Sequence, residues 1–118
     1  MGLADSVYGS GQGYVIVAFA DPREALATAL ETRERFAERG LAVRIGLDLG
    51  PVLAFDEPPG VRQIAGGAVN IASKLSVDAG VAGAIQVTDR AAQHLGPPPG
   101  AARFELDVSA VRLTGYRL

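Results

Sequence analysis

Glycines and prolines cut this chain into short pieces, and the apolar period changes from one piece to the next. That punctuation limits the fold to short strands alternating with a few short helices. The longest apolar run, Tyr14 to Ala20, is rich in strand formers and too short to cross a bilayer. Its near-continuous apolar character suits a strand covered on both faces. Gly9, Gly11 and Gly13 supply a turn ahead of it, so residues 5–19 are expected to form two strands around a hairpin.

A helix follows at a marked boundary. Asp21 can cap it, Pro22 suits its first position, Glu24 completes a capping box and Gly40 ends it. Helical spacing nominates Leu26, Leu30 and Phe36 as its buried stripe. Leu41 to Leu49 alternates as a strand, with Val43, Ile45 and Leu47 on one face and Arg44 and Asp48 on the other. Gly50-Pro51 makes a turn, Val52 to Phe55 returns as the partner strand, and Asp56 to Gly60 is a loop. A second helix is expected from about Gly67 to Ala79, and Ala84 to Val87 reads as a short strand. Thr88 or Asp89 caps a short helix stopped by Gly96 and the prolines after it. Residues 104–108 and 111–118 alternate as a closing strand pair. No segment repeats. The pattern is α+β, with helices packed on a mostly antiparallel sheet.

At 118 residues there is room for one domain, residues 1–118. Apolar residues make up 48% and charged ones 20%, a balance that favours a packed core over disorder. The absence of cysteine excludes disulfides and thiolate metal sites. A net charge of −2 with interspersed signs argues against nucleic acid as a partner. The N-terminus has no export pattern, so a soluble cytoplasmic domain without membrane contact is expected. The single histidine, His94, excludes a histidine-based metal cluster and leaves no Ser–His–Asp set to argue. Asp48, Asp56 and Glu57 gather near one hairpin and could meet a cation, although a solvated rim is the simpler reading.

Five segments carry a resemblance beyond periodicity. Arg44-Ile45-Gly46-Leu47-Asp48-Leu49-Gly50 resembles the Arg-Ile-Gly strand of class III nucleotidyl cyclase domains. Gly66-Gly67-Ala68-Val69-Asn70-Ile71-Ala72-Ser73-Lys74-Leu75 resembles that family's Val-Asn helix. Gly83-Ala84-Ile85-Gln86-Val87-Thr88 is similar to the strand that follows this helix. Gly11-Gln12-Gly13, with the apolar strand and helix after it, resembles the Gly-Asp-Gly hairpin and its helix. Val111-Arg112-Leu113-Thr114-Gly115 resembles the terminal strand. The resemblance implies a ferredoxin-like, class III cyclase-like α+β sandwich that lacks the first strand and the helices after it. It also implies helices on one face of the sheet.

The departures from the family pattern bear on chemistry. In the family, two carboxylates hold the metal ions that activate the ribose hydroxyl. One belongs to the first strand, which this chain is expected to lack; the other falls on Gln12. A neutral amide is a poor substitute for an anionic oxygen ligand. The base-recognising positions fall on Tyr8 and Gln63, and the transition-state pair falls on Asn70 and Lys74, the latter replacing arginine. Lysine lacks the planar fork that grips phosphate bidentately.

The resemblance therefore implies a catalytically degenerate cyclase-homology domain, acting as a regulatory or interaction module. The partner would be a second copy or another cyclase-homology chain. No metal or other cofactor is expected; Mg or Mn with ATP or GTP would enter only at a functional site. Two alternatives stay open: a pseudo-enzyme that still binds purine nucleotide through Asn70, Lys74, Tyr8, Gln12 and Gln63, or a cyclase subunit completed by another chain. Each residue also has a plain reading, Asn70 as a helix-start polar residue and Lys74 as a solvated one.

Overall fold

The structure, a computed structural model, describes residues 6–9, 14–56, 59–60, 62–96 and 99–118. Strands β1 (Ser6–Gly9) and β2 (Val15–Ala18) pair antiparallel, Ser6 opposite Ala18 and Gly9 opposite Val15. Helix α1 (Pro22–Ala37) starts where Asp21 accepts the Arg23 N–H at 2.9 Å, which satisfies one orphan donor of the first turn. It ends at Gly40, whose φ of +73° lets Leu41 N–H reach Phe36 O at 2.9 Å. Strands β3 (Ile45–Leu47), β4 (Leu53–Asp56) and β5 (Arg62–Ala65) follow. Helix α2 (Gly67–Ser73) widens into a π-helical turn over Lys74–Asp78. Strand β6 (Ile85–Thr88) runs directly into α3 (Asp89–Leu95), and β7 (Ala102–Val108) and β8 (Val111–Arg117) close the chain.

The main sheet has the order β3-β6-β8-β7, parallel between β3 and β6 and antiparallel elsewhere. The β1-β2 and β4-β5 hairpins form separate two-stranded ladders. The mostly antiparallel α+β arrangement agrees with expectation. Two features differ: Arg62–Ala65, to which periodicity assigns no element, forms β5, and β4 pairs with it rather than with β3. Arg62-Gln63-Ile64-Ala65 carries too little apolar alternation to announce a strand, whereas the hairpin ladder supplies its order.

Helices cover both faces of the sheet, not one. Ile85 and Val87 point towards Ala29 of α1 and Ala91 and Ala92 of α3, forming one buried cluster. On the opposite face Phe104 and Leu113 pack on Leu75 of the π turn. Every residue of β6 is therefore buried. Its short length hides this from the sequence, because Gln86 and Thr88 mimic the polar half of a one-sided strand. On α1, Ala29 is the buried residue; of the stripe expected there Leu26 is half-buried, while Leu30 and Phe36 stay 38% and 42% exposed. A small residue on the contact line lets the helix approach closely.

Gln86 ties the second layer to the sheet. Its side-chain amide donates to Leu75 O at 2.9 Å and to Ala79 O at 3.1 Å. Its oxygen accepts from Arg117 Nε at 3.0 Å and from the terminal guanidinium nitrogen at 2.7 Å. The π turn sends the Ala79 N–H to Lys74 O, which leaves Leu75 O for the glutamine. Gly46 sets the spacing on the same side, since a Cβ there would lie 2.5 Å from Ala72 O and 2.7 Å from Leu75 Cβ.

Candidate functional site

One cavity lies between the β1-β2 hairpin and the main sheet. It is lined by the successive residues Ile16, Val17, Ala18 and Phe19 and by the successive residues Gly46, Leu47, Asp48, Leu49 and Gly50. Alternate side chains of a strand point to opposite faces, so a cavity touched by consecutive residues meets the strand's edge. Pro22 and Ala25 of α1 and Ala91 and Leu95 of α3 close one side. Ala68, Val69 and Ala72 of α2 close the other.

Among the described residues Asp48 is the one charged residue in that lining. Its side chain is 1% exposed, a correction to its reading as solvated rim. Thr88 Oγ1 donates to Asp48 Oδ1 at 2.6 Å, and the Arg90 guanidinium reaches Oδ2 at 2.6 Å. The same Thr88 oxygen accepts the Ala91 N–H at 3.3 Å as the N-cap of α3. The hydrogen bond to Asp48 holds the Arg90 pKa above its ordinary value. Asp48 therefore stands as an internally neutralised carboxylate that locks β3 to the start of α3. A carboxylate between two leucines at a strand end was the available signal for this burial, and Arg90 lies too far along the chain to be read as its partner.

The nucleotide-site candidates do not line this cavity among the described residues. Asn70 is exposed on α2, with its N–H bonded to Gly66 O at 3.1 Å. Lys74 is half-buried where α2 meets the π turn, one helical turn further on. Tyr8 pairs with Ile16 in β1, and Gln63 pairs with Phe55 in β5, half-buried. β1 packs beside β5 and β5 beside α2, so Tyr8, Gln63 and the Asn70 helix belong to neighbouring elements. Gln12 lies outside the described residues.

Among the described residues no three His, Asp or Glu side chains converge as a metal site would require. Glu57, named above with Asp48 and Asp56, lies outside them. His94 Nδ1 sits 3.4 Å from Arg90 O at the end of α3 and faces solvent. No described helix is long and apolar enough to cross a membrane. No protein-family model matches the chain, and no curated protein sequence matches it.

Proposed function

We propose that this chain is a degenerate member of the class III nucleotidyl cyclase-like domains that works by association and not by cyclisation. The reading rests on the order and spacing of the five segments from Gly11 to Gly115 and on the residues that break the family pattern. The observation that carries the loss of chemistry is the state of Asp48. Asp48, the one carboxylate lining the cavity among the described residues, is already held by Thr88 and Arg90 within the fold. Loss of metal assistance would cost several kcal/mol of transition-state stabilisation, which is orders of magnitude in rate.

The partner in this reading is a second copy of the chain or another cyclase-homology chain. Sedimentation equilibrium tests it: a concentration-dependent dimer supports self-association, and a monomer throughout moves the association to another chain. A second reading has its own support. Asn70 on α2 and Lys74 at the start of the π turn lie one turn apart, and Asn70 is open to solvent, so a nucleotide phosphate or a partner's site could reach them. Calorimetric titration with ATP and GTP, with and without manganese, tests that version. Absence of heat at millimolar nucleotide would sink it.

A further inference from the structure

We propose that β7 pairs antiparallel with β7 of a second copy, across a twofold axis at Glu105, and so joins two main sheets into one. The inference deepens the association reading, on which it rests, by naming the partner and the contact.

Among the described residues β7 has one ladder partner, β8, and closes one end of the main sheet. The phase of that ladder decides which of its backbone groups face outward. Ile85 N–H reaches Leu118 O at 3.2 Å and Leu118 N–H reaches Ile85 O at 2.8 Å, so Leu118 spends both groups on the β6 side. By alternation the odd-numbered residues of β8 turn to β7, where they meet Ala102, Phe104, Leu106 and Val108. The groups of Arg103, Glu105 and Asp107 therefore point away from the sheet, along an edge open to strand addition.

One register uses all of them. With Glu105 opposite its own copy, Arg103 lies across from Asp107 of the second copy at each end, and every outward N–H and C=O finds a partner. A slip of one residue would set the two faces against each other. A slip of two sets Asp107 against Ala101, or Arg103 against Ser109 in the turn, both outside β7.

The side chains fit that register. Charges on an edge strand ordinarily repel a second strand. Here they fall as two Arg103–Asp107 pairs of opposite sign, directly across, which favours pairing. Arg103 binds Asp89 through its two terminal nitrogens and retains further donors. On the other face buried Phe104 meets half-buried Leu106 of the second copy. Glu105 against its own copy is a like-charged pair, tempered by Arg112 at 3.3 Å from each Glu105. A single strand pair buries less than a standard interface, so the dimer belongs to the weak, concentration-dependent class.

Amide exchange from micromolar to millimolar protein tests the pairing. The amides of Arg103, Glu105 and Asp107 should slow by about tenfold or more as concentration rises, while those of Phe104 and Leu106 stay protected throughout. The chain has no cysteine, so a single introduced one reports its own neighbourhood. The Glu105→Cys positions would lie about 5.5 Å apart at Cα, within disulfide reach, and should cross-link under mild oxidation. Glu34→Cys, exposed on the helix that packs by β3 at the far end of the sheet, should not. Asp107→Arg sets arginines face to face and should weaken self-association by about tenfold. Mixing that chain with an Arg103→Asp chain recreates both opposite-charge pairs and should restore the contact, which a fold damaged by either change could not do.

A monomer at every concentration would overturn the proposal and leave the association reading to another chain. So would a dimer whose 103, 105 and 107 amides do not slow, or one that cross-links equally through Glu34→Cys. Cyclic-nucleotide turnover by the protein alone would defeat the association reading and leave these exchange and cross-linking results standing.

Discussion

Thr88 Oγ1 donates to Asp48 Oδ1 at 2.6 Å while accepting the Ala91 N–H at 3.3 Å, so one hydroxyl caps α3 and satisfies a buried carboxylate. Thr88→Val keeps the shape and removes both bonds. The loss should be about 1–2 kcal/mol, the usual cost of a lost N-cap with an added unsatisfied acceptor. Urea unfolding of Thr88→Val, Asp48→Asn and the double variant checks it. The two effects should not add, since both act on the same bond.

Gln86 is fully buried with four hydrogen bonds to Leu75 O, Ala79 O and the Arg117 guanidinium. Gln86→Leu leaves two carbonyls and a guanidinium edge without their partner and should cost about 3 kcal/mol or more. Gln86→Glu retains the contact to Arg117 and forfeits both donations to the π turn. Its loss should be comparable, and exchange should rise over residues 74–79 in particular.

Gly46 faces Ala72 O and Leu75 Cβ at distances no Cβ tolerates, and the backbone of β3 cannot retreat without breaking its ladder to β6. Gly46→Ala should destabilise by about 2 kcal/mol through overpacking. Thermal unfolding measures it. The glycine of the Arg44-Ile45-Gly46 segment thus has a packing role apart from any resemblance.

The two-residue turn between β7 and β8 places Ser109 at φ +51° and Ala110 at φ +63°, the left-handed pair that twists a tight hairpin correctly. Alanine is strained there. Ala110→Gly should raise stability by about 0.5–1 kcal/mol, read from the urea midpoint.

Asp89 is held below the usual carboxylate range, first by its hydrogen bond from Arg103 and then by Thr114 Oγ1 at 2.6 Å. A depressed carboxyl pKa stabilises the fold above the unfolded value of about 3.9 and loses that contribution as pH falls through the folded value. Asp89→Asn should therefore be less stable than the parent near neutral pH, with the gap closing in acid. The side chain is 39% exposed, so added salt should shrink the gap.

What the sequence disclosed follows from the range of the interactions involved. The caps of α1 and α3 and the β7-β8 alternation are local, and Asp21, Pro22, Gly40, Thr88 and Gly96 announce them within a few residues. The pairing of β4 with β5, the π turn after Ser73 and the burial of Asp48 depend on contacts across the fold. Asp48 meets Thr88 and Arg90 some 40 positions on. Helix placement on both faces was hidden for a related reason: Gln86 is polar by type but satisfied by the π turn that covers it. Of the site candidates, Asn70 and Lys74 share α2 and its π turn as their spacing required, while the residues gathered at the cavity are largely apolar and carry no chemical signature in sequence.

The central claim is that this chain carries the cyclase-like pattern without its chemistry. Incubating the purified protein with millimolar ATP or GTP and manganese, and quantifying cyclic AMP and cyclic GMP by mass spectrometry, tests it most directly. The account predicts product at the level of the protein-free control. Sustained turnover that scales with protein concentration would contradict it.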